Sequence, residues 1–383
     1  MKILFIKEKR SQTGIEGIGV YLVRVCKRLN KLKIPYLVIY NDKDTLYEIM
    51  RENNINVKII DLPPKSFKNL LHKKRNVLIT RKLISNLVND EKFTHINVHF
   101  PHLLQYIDKD LDVSVIATWH AAFPNNEPQK IFNFKNILNP KKILNEFYRK
   151  KFVFNFDLVK HVITPSFAAK ETAIKRFGVD GKKITVNPYG VEPITQNNFR
   201  DIRRDLNFSP KDKIVLCAGR ETKSKGVEDF CKVASHFISK KNIKFLFLGG
   251  YRDKEYHDYL VEKYSKNVFF LGMKKNIYDY YNCSDLFLFL SHRESAGQVL
   301  AEAMLFGLPL VTYDIIGVNE MFENGVQGRM REFGDTNGII KDVEEILSDN
   351  NLYKKLSEES KKHSNNHLID ISVKNLLNIL GKY

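Results

Sequence analysis

A strand–loop–helix–strand unit at 285–312 constrains this chain more than any other stretch of its sequence. The run 285–290 is short and rich in Leu and Phe, which is typical of a parallel strand covered on both faces. A helix is predicted from about Gly297 to Phe306, because Gly307 lies where a left-handed C-cap is needed and Pro309 cannot continue the helix. The unit therefore predicts an α/β protein built on a parallel sheet.

Glu302 is the only ionisable residue in the apolar part of that helix. Its neighbours three and four positions away are Gln298, Val299, Leu305 and Phe306. A carboxylate among such residues is costly unless a partner meets it, which indicates a ligand. Glu294 lies eight residues earlier in the loop, so the two carboxylates could bracket one molecule at the carboxyl end of the strand, where open α/β sheets bind ligands.

The composition is that of an ordinary globular chain. With 383 residues, of which 43% are hydrophobic and 28% charged, it is too long for one core and suits two domains. Its four cysteines are widely spaced, which favours reduced thiols over disulfides or a zinc site. No apolar run approaches the ~18 residues of a membrane-spanning helix. We therefore expect a protein that is cytosolic or lies on a membrane surface.

The formal charge of +18 is concentrated in the first half. Residues 1–195 contain 34 Lys and Arg against 18 Asp and Glu, a balance of +16, whereas the rest of the chain has 28 against 26. A basic half beside a nearly neutral half indicates that the first domain meets an acidic partner.

Strands and helices are predicted to alternate through both halves. Strands of the first half are expected at Lys2–Ile6, Tyr36–Tyr40, Val57–Asp61, His95–His99, Val113–Thr118, Val162–Thr164 and Ile184–Asn187. Those of the second half are expected at Ile214–Ala218, Phe245–Leu248 and Val268–Leu271, followed by the 285–312 unit. After Gly328 the chain is expected to be polar and helical. The pattern predicts two Rossmann-like halves with a cleft between them.

Two loops carry candidate phosphate-binding residues. Gly14 and Gly17 precede an apolar helix, and glycines at such a turn let backbone N–H groups approach a phosphate. Their spacing is not the dinucleotide fingerprint, so an ordinary strand-to-helix turn is an equal alternative. Arg220 follows strand Ile214–Ala218 and Lys225 precedes the next helix, so both cations could bind a diphosphate. The alternative is two solvated surface charges.

Together these motifs resemble the family 4 retaining glycosyltransferases, which have the two-domain GT-B fold. The resemblance rests on Arg220-x4-Lys225-Gly226 and Glu294-x7-Glu302 in that order. It extends to 163–192, 267–304, Gly317-Val318-Asn319-Glu320, the glycine loop and Thr118-Trp119-His120. It implies an acceptor-binding Rossmann-like domain at 1–190 and a nucleotide-sugar-binding domain at 191–365, with helix 366–383 packing back on the first.

The resemblance also implies a role for each motif residue. Arg220 and Lys225 would hold the donor diphosphate, Glu302 the ribose hydroxyls and Glu294 the hydroxyls of the transferred sugar. The remaining implied donor contacts are the backbone amides of Ala296, Gly297 and Gln298, the loop glycines Gly14 and Gly17, and His120. The implied catalytic residues are Glu294, His120, Arg220 and Lys225. For His120, a structural histidine satisfied by backbone is the alternative.

Three features of the sequence depart from the family pattern. Ala296 stands where an aromatic residue is usual, Gln298 replaces an apolar residue, and Gly14 with Gly17 replaces adjacent glycines. These differences bear on the identity of the sugar more than on the fold. Because no DxD-type acidic pair stands on a loop where a metal would bridge the diphosphate, we expect transfer without a metal or other cofactor, from a nucleotide-sugar substrate that we expect to be a UDP-sugar.

Two segments account for much of the first half's charge. The basic residues of 65–82 are Lys65, Lys68, Lys73, Lys74, Arg75, Arg81 and Lys82, mixed with Phe67, Leu70 and Leu71. Those of 129–156 are Lys130, Lys135, Lys141, Lys142, Arg149, Lys150 and Lys151, among several Phe and Ile. Such segments suit an anionic lipid surface or nucleic acid, or are solvated helix faces. The one-sided charge favours the lipid surface or a lipid-linked acceptor.

We therefore predict a retaining, nucleotide-sugar-dependent glycosyltransferase that acts on a cell-surface glycan or a lipid-linked acceptor of lipopolysaccharide, capsule or glycolipid type. It would be cytoplasmic, peripheral on the inner face of the cell membrane, and would not bind nucleic acid. One alternative is a sugar-nucleotide epimerase or a phosphorylase on the same fold, although we see no cofactor lysine for a phosphorylase. The other is a basic nucleic-acid-binding protein without enzymatic activity.

Overall fold

Seven short parallel strands form the first sheet. They are β1 Ile3–Ile6, β2 Tyr36–Tyr40, β3 Val57–Ile59, β4 His95–Val98, β5 Ser114–Thr118, β6 His161–Thr164 and β7 Ile184–Val186. Their spatial order is β3-β2-β1-β4-β5-β6-β7, so β1 pairs with both β2 and β4. This computed structural model describes residues 1–9, 16–62, 70–120, 156–195 and 198–383, without the side chains of 70–74, 156 and 176.

Helices connect these strands. The described ones are α1 Gly17–Lys31, α2 Thr45–Glu52, α3 Leu70–Glu91 and α4 Phe167–Phe177. Two begin at a side-chain cap, since Asp44 accepts from the amides of α2 and Ser166 from that of Ala169 in α4. An apolar core lies against one face of the sheet, to which Leu4, Ile6 and Ile96 contribute from the central strands, whereas Ile3 and Phe5 are buried on the other face.

Six parallel strands form the second sheet, in the order β10-β9-β8-β11-β12-β13. They are β8 Lys213–Ala218, β9 Ile243–Leu248, β10 Val268–Phe270, β11 Leu286–Phe289, β12 Leu310–Tyr313 and β13 Gly328–Arg331. The helices are α5 Ile202–Asp205, α6 Val227–His236, α7 Lys254–Tyr264, α8 Ile277–Cys283, α9 Gln298–Leu305, α10 Thr336–Ser348, α11 Asn350–Ser364 and α12 Ile369–Leu380.

The second sheet is buried on both faces. In β11, Phe287 and Phe289 belong to the apolar cluster on one face, whereas Leu286 and Leu288 belong to the cluster on the other. This alternation follows from the two-residue period of a strand. The apolar run at 285–290 thus forms a central parallel strand, as its sequence predicts.

The chain divides into two compact units. The first contains Met1–Pro188 and Ser372–Tyr383, and the second contains Tyr189–Ile371. Within the first unit, Ser372 binds Tyr21 at 3.2 Å between hydroxyls and accepts a 3.0 Å hydrogen bond from the Asn187 side chain at its carbonyl. Most of α12 is therefore part of the first unit, although it follows the second in the chain.

The two parallel sheets with helices confirm the predicted fold class. One expectation was wrong, because the chain after Gly328 first forms strand β13 before it becomes helical. Its residues are too polar to resemble a buried strand, but β13 lies at the edge of the sheet, where polar side chains are tolerated. None of the helices that the structure describes is both long and apolar enough to cross a membrane.

Arg331 on β13 provides a test of how an ion pair at this edge strand stabilises the fold. Its guanidinium makes a two-pronged ion pair with the buried Asp342 of α10, at 2.7 Å and 2.6 Å. Arg331→Met should lower the free energy of unfolding by about 2 kcal/mol, because the carboxylate of Asp342 stays buried without its cation. Urea unfolding measures this.

Arg329 of the same strand is the matched control. It approaches Glu345 at only 3.7 Å, and the Glu345 side chain is 55% exposed. Arg329→Met should cost less than ~1 kcal/mol. Equal losses of unfolding free energy in the two variants would show that the Arg331–Asp342 ion pair stabilises the fold no more than the exposed Arg329–Glu345 pair does.

Candidate active site

Two loops of the second unit meet at the carboxyl edge of its sheet. Strands β8 and β11 are neighbours, yet β9 follows β8 on the opposite side, so the connections diverge at this point. Ligands bind at such switch points in open α/β sheets. The loop 219–226 follows β8 and the loop 290–297 follows β11, and these loops carry most of the predicted donor-binding residues.

Lys225 and Glu294 form an ion pair across these loops. The Lys225 ammonium lies 2.6 Å from a Glu294 carboxylate oxygen and 3.4 Å from the Arg293 carbonyl. It also lies 5.6 Å from the centre of the Phe289 ring. Both side chains are mostly buried, with 18% and 15% exposed. The structure thus brings together two residues that the sequence assigned to one site from 69 positions apart.

The Glu294 carboxylate has several donors. Its second oxygen accepts from the backbone amide of Ser295 at 2.9 Å and from that of Ala296 at 3.4 Å. Burial raises the pKa of this carboxyl, but the Lys225 charge and these hydrogen bonds outweigh burial and lower the pKa below its usual value. Glu294 is therefore ionised at neutral pH.

Gly226 allows the two loops to approach. Its φ is +62°, and a Cβ there would lie 1.7 Å from the Leu290 carbonyl oxygen. Beside it, the His292 amide donates to the Ser224 carbonyl at 3.0 Å. The Lys225-Gly226 pair of the motif thus combines a charge with the only residue type that fits this contact.

The other predicted residues of the second unit lie at the same edge. Arg220 is exposed two residues after β8. Ala296 is buried, Gly297 is the N-cap of α9 with φ +53°, and Gln298 is the first residue of that helix. Backbone amides at a helix start can bind an anion. The donor-binding roles of these residues stay predictions.

Glu302 lies within α9 and is 7% exposed. The Tyr281 hydroxyl of α8 donates to one of its carboxylate oxygens at 3.2 Å. Burial, and then the Glu302 charge, raise the pKa of Tyr281, so the phenol keeps its proton for this bond. The sequence predicted a ligand for this carboxylate, and the structure supplies at least one partner from the protein itself.

In the first unit, His120 lies at the carboxyl edge of β5 and is buried. Its Nε2 lies 3.2 Å from Nδ1 of His99, and the two rings stack with centroids 5.1 Å apart. Burial, and then the Lys7 charge, lower the pKa of His99 to about 3, so His99 is neutral. Gly17 is the first residue of α1, whereas Gly14 lies outside the described residues.

Sequence reasoning missed several buried polar residues near these edges. Lys7 directly follows β1 and is fully buried, with its ammonium 2.7 Å from Glu16. In the second unit, the buried Glu221 binds Nδ1 of His257 at 3.0 Å. Lys7 is the first residue and Glu221 the third residue after a central strand, and that position at the carboxyl end of a strand is the signal that could have found them.

Two family profiles match consecutive parts of the chain. Glycosyltransferase Family 4 matches residues 15–194, and Glycosyl transferases group 1 matches residues 198–363. The chain belongs to glycosyltransferase family 4. In this family 4 chain the Lys225–Glu294 pair and Glu302 all lie within the second match. In the described ranges, no group of three or more His, Cys, Asp or Glu side chains is placed to hold a metal ion.

Curated relatives are similar over part of their length. N-acetyl-alpha-D-glucosaminyl L-malate synthase of Bacillus anthracis is 27% identical over 43% of this chain and 44% of that protein. The capsular polysaccharide biosynthesis glycosyltransferase CapM of Staphylococcus aureus is 26% identical over 54% and 55%. Alpha-galactosylglucosyldiacylglycerol synthase of Streptococcus pneumoniae is 26% identical over 58% and 62%. The chain thus spans about half the length of these relatives.

Solved structures are similar over the whole chain. A glycosyltransferase from Rickettsia africae has a TM-score of 0.79 and 18% identity, with 100% of this chain and 98% of that chain covered. The Anabaena protein HepE, solved with UDP and glucose, has a TM-score of 0.77 and 16% identity, with both chains fully covered. At these identities the likeness shows that this family 4 chain shares their fold.

Lys225→Met should remove stability in a pH-dependent way. Because Lys225 lowers the pKa of Glu294, the pair stabilises the fold above the pKa of an unfolded glutamate, about 4.3, and this contribution is lost as the pH falls through the lower folded value. We expect the variant to be less stable by about 3 kcal/mol at neutral pH. The gap should shrink towards pH 3 in urea unfolding.

The control for this prediction is Lys223→Met, which removes an exposed lysine from the same loop. It should leave the pH profile of unfolding unchanged. A constant offset between Lys225→Met and wild type from pH 3 to pH 8 would contradict the assigned ion pair.

Gly226→Ala should be much more damaging than Gly272→Ala. Both glycines have a similar φ, +62° and +66°, but no other atom lies within 4 Å of a Cβ added at Gly272. The strained φ should cost about 1 kcal/mol in either variant, and the clash at Gly226 should raise its cost to about 3 kcal/mol or more. Urea unfolding of the two variants compares these costs, and similar losses would contradict the close contact with Leu290.

Proposed function

We propose that this chain is a glycosyltransferase that moves a sugar from a nucleotide-sugar donor to a cell-surface glycan or a lipid-linked acceptor. The observation that carries the proposal is the Lys225–Glu294 pair at the switch point of the second sheet. The family, and relatives named for capsule and glycolipid synthesis, support it. The solved neighbour with UDP and glucose supports a nucleotide sugar as the donor class.

The proposed donor contacts follow from the chemistry of each side chain. Arg220 and Lys225 are cations at the sheet edge and would bind the diphosphate. The amides at the start of α9 would add backbone donors to the same anion. Glu294 and Glu302 are hydrogen-bond acceptors, and would bind sugar hydroxyls and ribose hydroxyls respectively. For the donor we propose a UDP-sugar.

For the reaction we propose retention of the anomeric configuration without a metal ion. As the bond from the sugar to the diphosphate breaks, negative charge develops on the departing phosphate. Arg220, Lys225 and the α9 amides would stabilise that charge at the point where it grows. The acceptor hydroxyl would attack from the same face, and its proton would pass to the departing phosphate. The roles predicted for Gly17 and His120 in the first unit remain part of this proposal.

We also propose that the protein acts at the cytoplasmic face of a membrane. The support is the balance of +16 over residues 1–195, because anionic lipids attract basic surfaces. Of the first basic segment, Arg75, Arg81 and Lys82 have described side chains. Residues 65–69 and the second basic segment, up to residue 155, lie outside the described residues.

The test of the donor site is Glu302→Gln. Glutamine keeps an oxygen that can accept from Tyr281, so the fold should persist while the negative charge is lost. A neutral amide accepts hydrogen bonds from the ribose hydroxyls more weakly than the carboxylate does. The substitution should therefore lower kcat/KM for donor hydrolysis by about 10- to 100-fold. A panel of UDP-, GDP- and ADP-sugars, with and without EDTA, identifies the nucleotide and tests the need for a metal.

Glu345→Gln, at an exposed glutamate of α10, is the matched control and should behave as wild type. Full activity of Glu302→Gln with its best donor would contradict the assignment of Glu302 to the donor site. Salt-sensitive binding to nucleic acid, unaffected by Glu302→Gln and without donor turnover, would favour the nucleic-acid-binding alternative.

A further inference from the structure

Helix α3 has one face packed into the first unit. Ile84, Leu87 and Val88 belong to the apolar core beneath it. Two polar contacts secure the same side, since the Thr80 hydroxyl donates to the Asp61 carbonyl at 3.2 Å and Arg81 donates to the Gln105 carbonyl at 3.2 Å and 2.8 Å. The sequence analysis included Arg81 among the basic residues of 65–82, but its guanidinium binds a carbonyl within the first unit.

The opposite face of α3 exposes three large apolar side chains. Leu78, Ile79 and Leu83 are 59%, 50% and 52% exposed. They alternate with the exposed basic residues Arg75 and Lys82. Spacings of three and four residues place all five on one side of a helix. We define this set as the outer face of α3.

We propose that the outer face of α3 docks on an anionic lipid bilayer, with Leu78, Ile79 and Leu83 inserted below the headgroups and Arg75 and Lys82 against them. This refines the membrane contact of the proposed function and rests on that part of it. An amphipathic helix with basic flanks lies in the interface and buries its apolar side chains about 5–10 Å deep. The apolar core residues and the Arg81 contact fix the inner face of α3 to the first unit. The helix would therefore lie along the bilayer surface.

Charge favours lipid over a second copy of the chain. A two-fold contact between two such faces would place Arg75 and Lys82 against the same residues of the other copy, and like charges repel. An anionic surface instead attracts both residues, together with the balance of +16 in the first half. The long stems of Arg and Lys also let their charges reach headgroups while the neighbouring apolar side chains insert.

Flotation of the full chain with vesicles tests the proposal. Wild type should float with vesicles of phosphatidylcholine and phosphatidylglycerol, and much less with phosphatidylcholine alone. The triple variant Leu78→Gln, Ile79→Gln and Leu83→Gln should lose at least about tenfold in partitioning, since each apolar side chain contributes to insertion. The variant Arg75→Gln with Lys82→Gln should lose the preference for anionic lipid.

Ile238→Gln is the matched control, because Ile238 is 60% exposed in the second unit. It should float as wild type does. Donor hydrolysis without vesicles should be unchanged in all these variants, which separates folding and activity from docking.

Each contrary result has a distinct meaning. If wild type fails to float, the membrane proposal is overturned while donor hydrolysis still reports on the glycosyltransferase assignment. If wild type floats and the triple variant floats equally, docking by α3 is overturned. If wild type dimerises in sedimentation and the triple variant does not, the outer face is a protein interface and the lipid proposal is overturned.

Discussion

Burial of both sheets on two faces is the constraint on which the rest of the structure depends. Strand β8 illustrates it, because Leu216 belongs to the apolar cluster on one face and Val215 to that on the other. The charged side chains of the candidate site therefore lie in the residues that follow the strands and not in the strands themselves. Lys7 after β1, Arg220 after β8 and Glu294 after β11 all have this position. The site is a consequence of how the sheets are covered.

The Lys225–Glu294 pair shapes what a ligand at this edge must offer. Each charge is largely withdrawn from water and is compensated by the other, so a ligand that engages only one of them leaves the second unpaired at a cost of several kcal/mol. A molecule with a phosphate for the lysine and hydroxyls for the glutamate can replace both partners at once. Under the proposed function, the pair thus discriminates against bare phosphates and free sugars before any contact specific to the sugar is made.

The sequence predicted the elements well where a run is both apolar and bounded. Strand Tyr36–Tyr40 has the predicted limits, because turn residues flank it. The sequence did not predict β13, because its polar residues adopt a strand only through pairing with β12. The burial of Glu302 was foreseeable from its neighbours, but its partner Tyr281 was not, because α8 and α9 meet only through tertiary packing. The complete burial of Lys7 was hidden for the same reason.

The two lysines that follow β1 in the described part of the chain, at the ligand edge of the first sheet, are paired with carboxylates. There, Lys7 pairs with Glu16 at 2.7 Å, and Lys9 lies 3.0 Å from Asp42. The carboxylate of Glu8, next to them, lies 2.8 Å from His102. These two cations are neutralised locally and therefore add nothing to the net balance of +16 over residues 1–195. Under the proposed function, a net charge summed over a whole half of the chain attracts a large anionic surface more than a small bound anion, so the basic half and the donor site have separate roles.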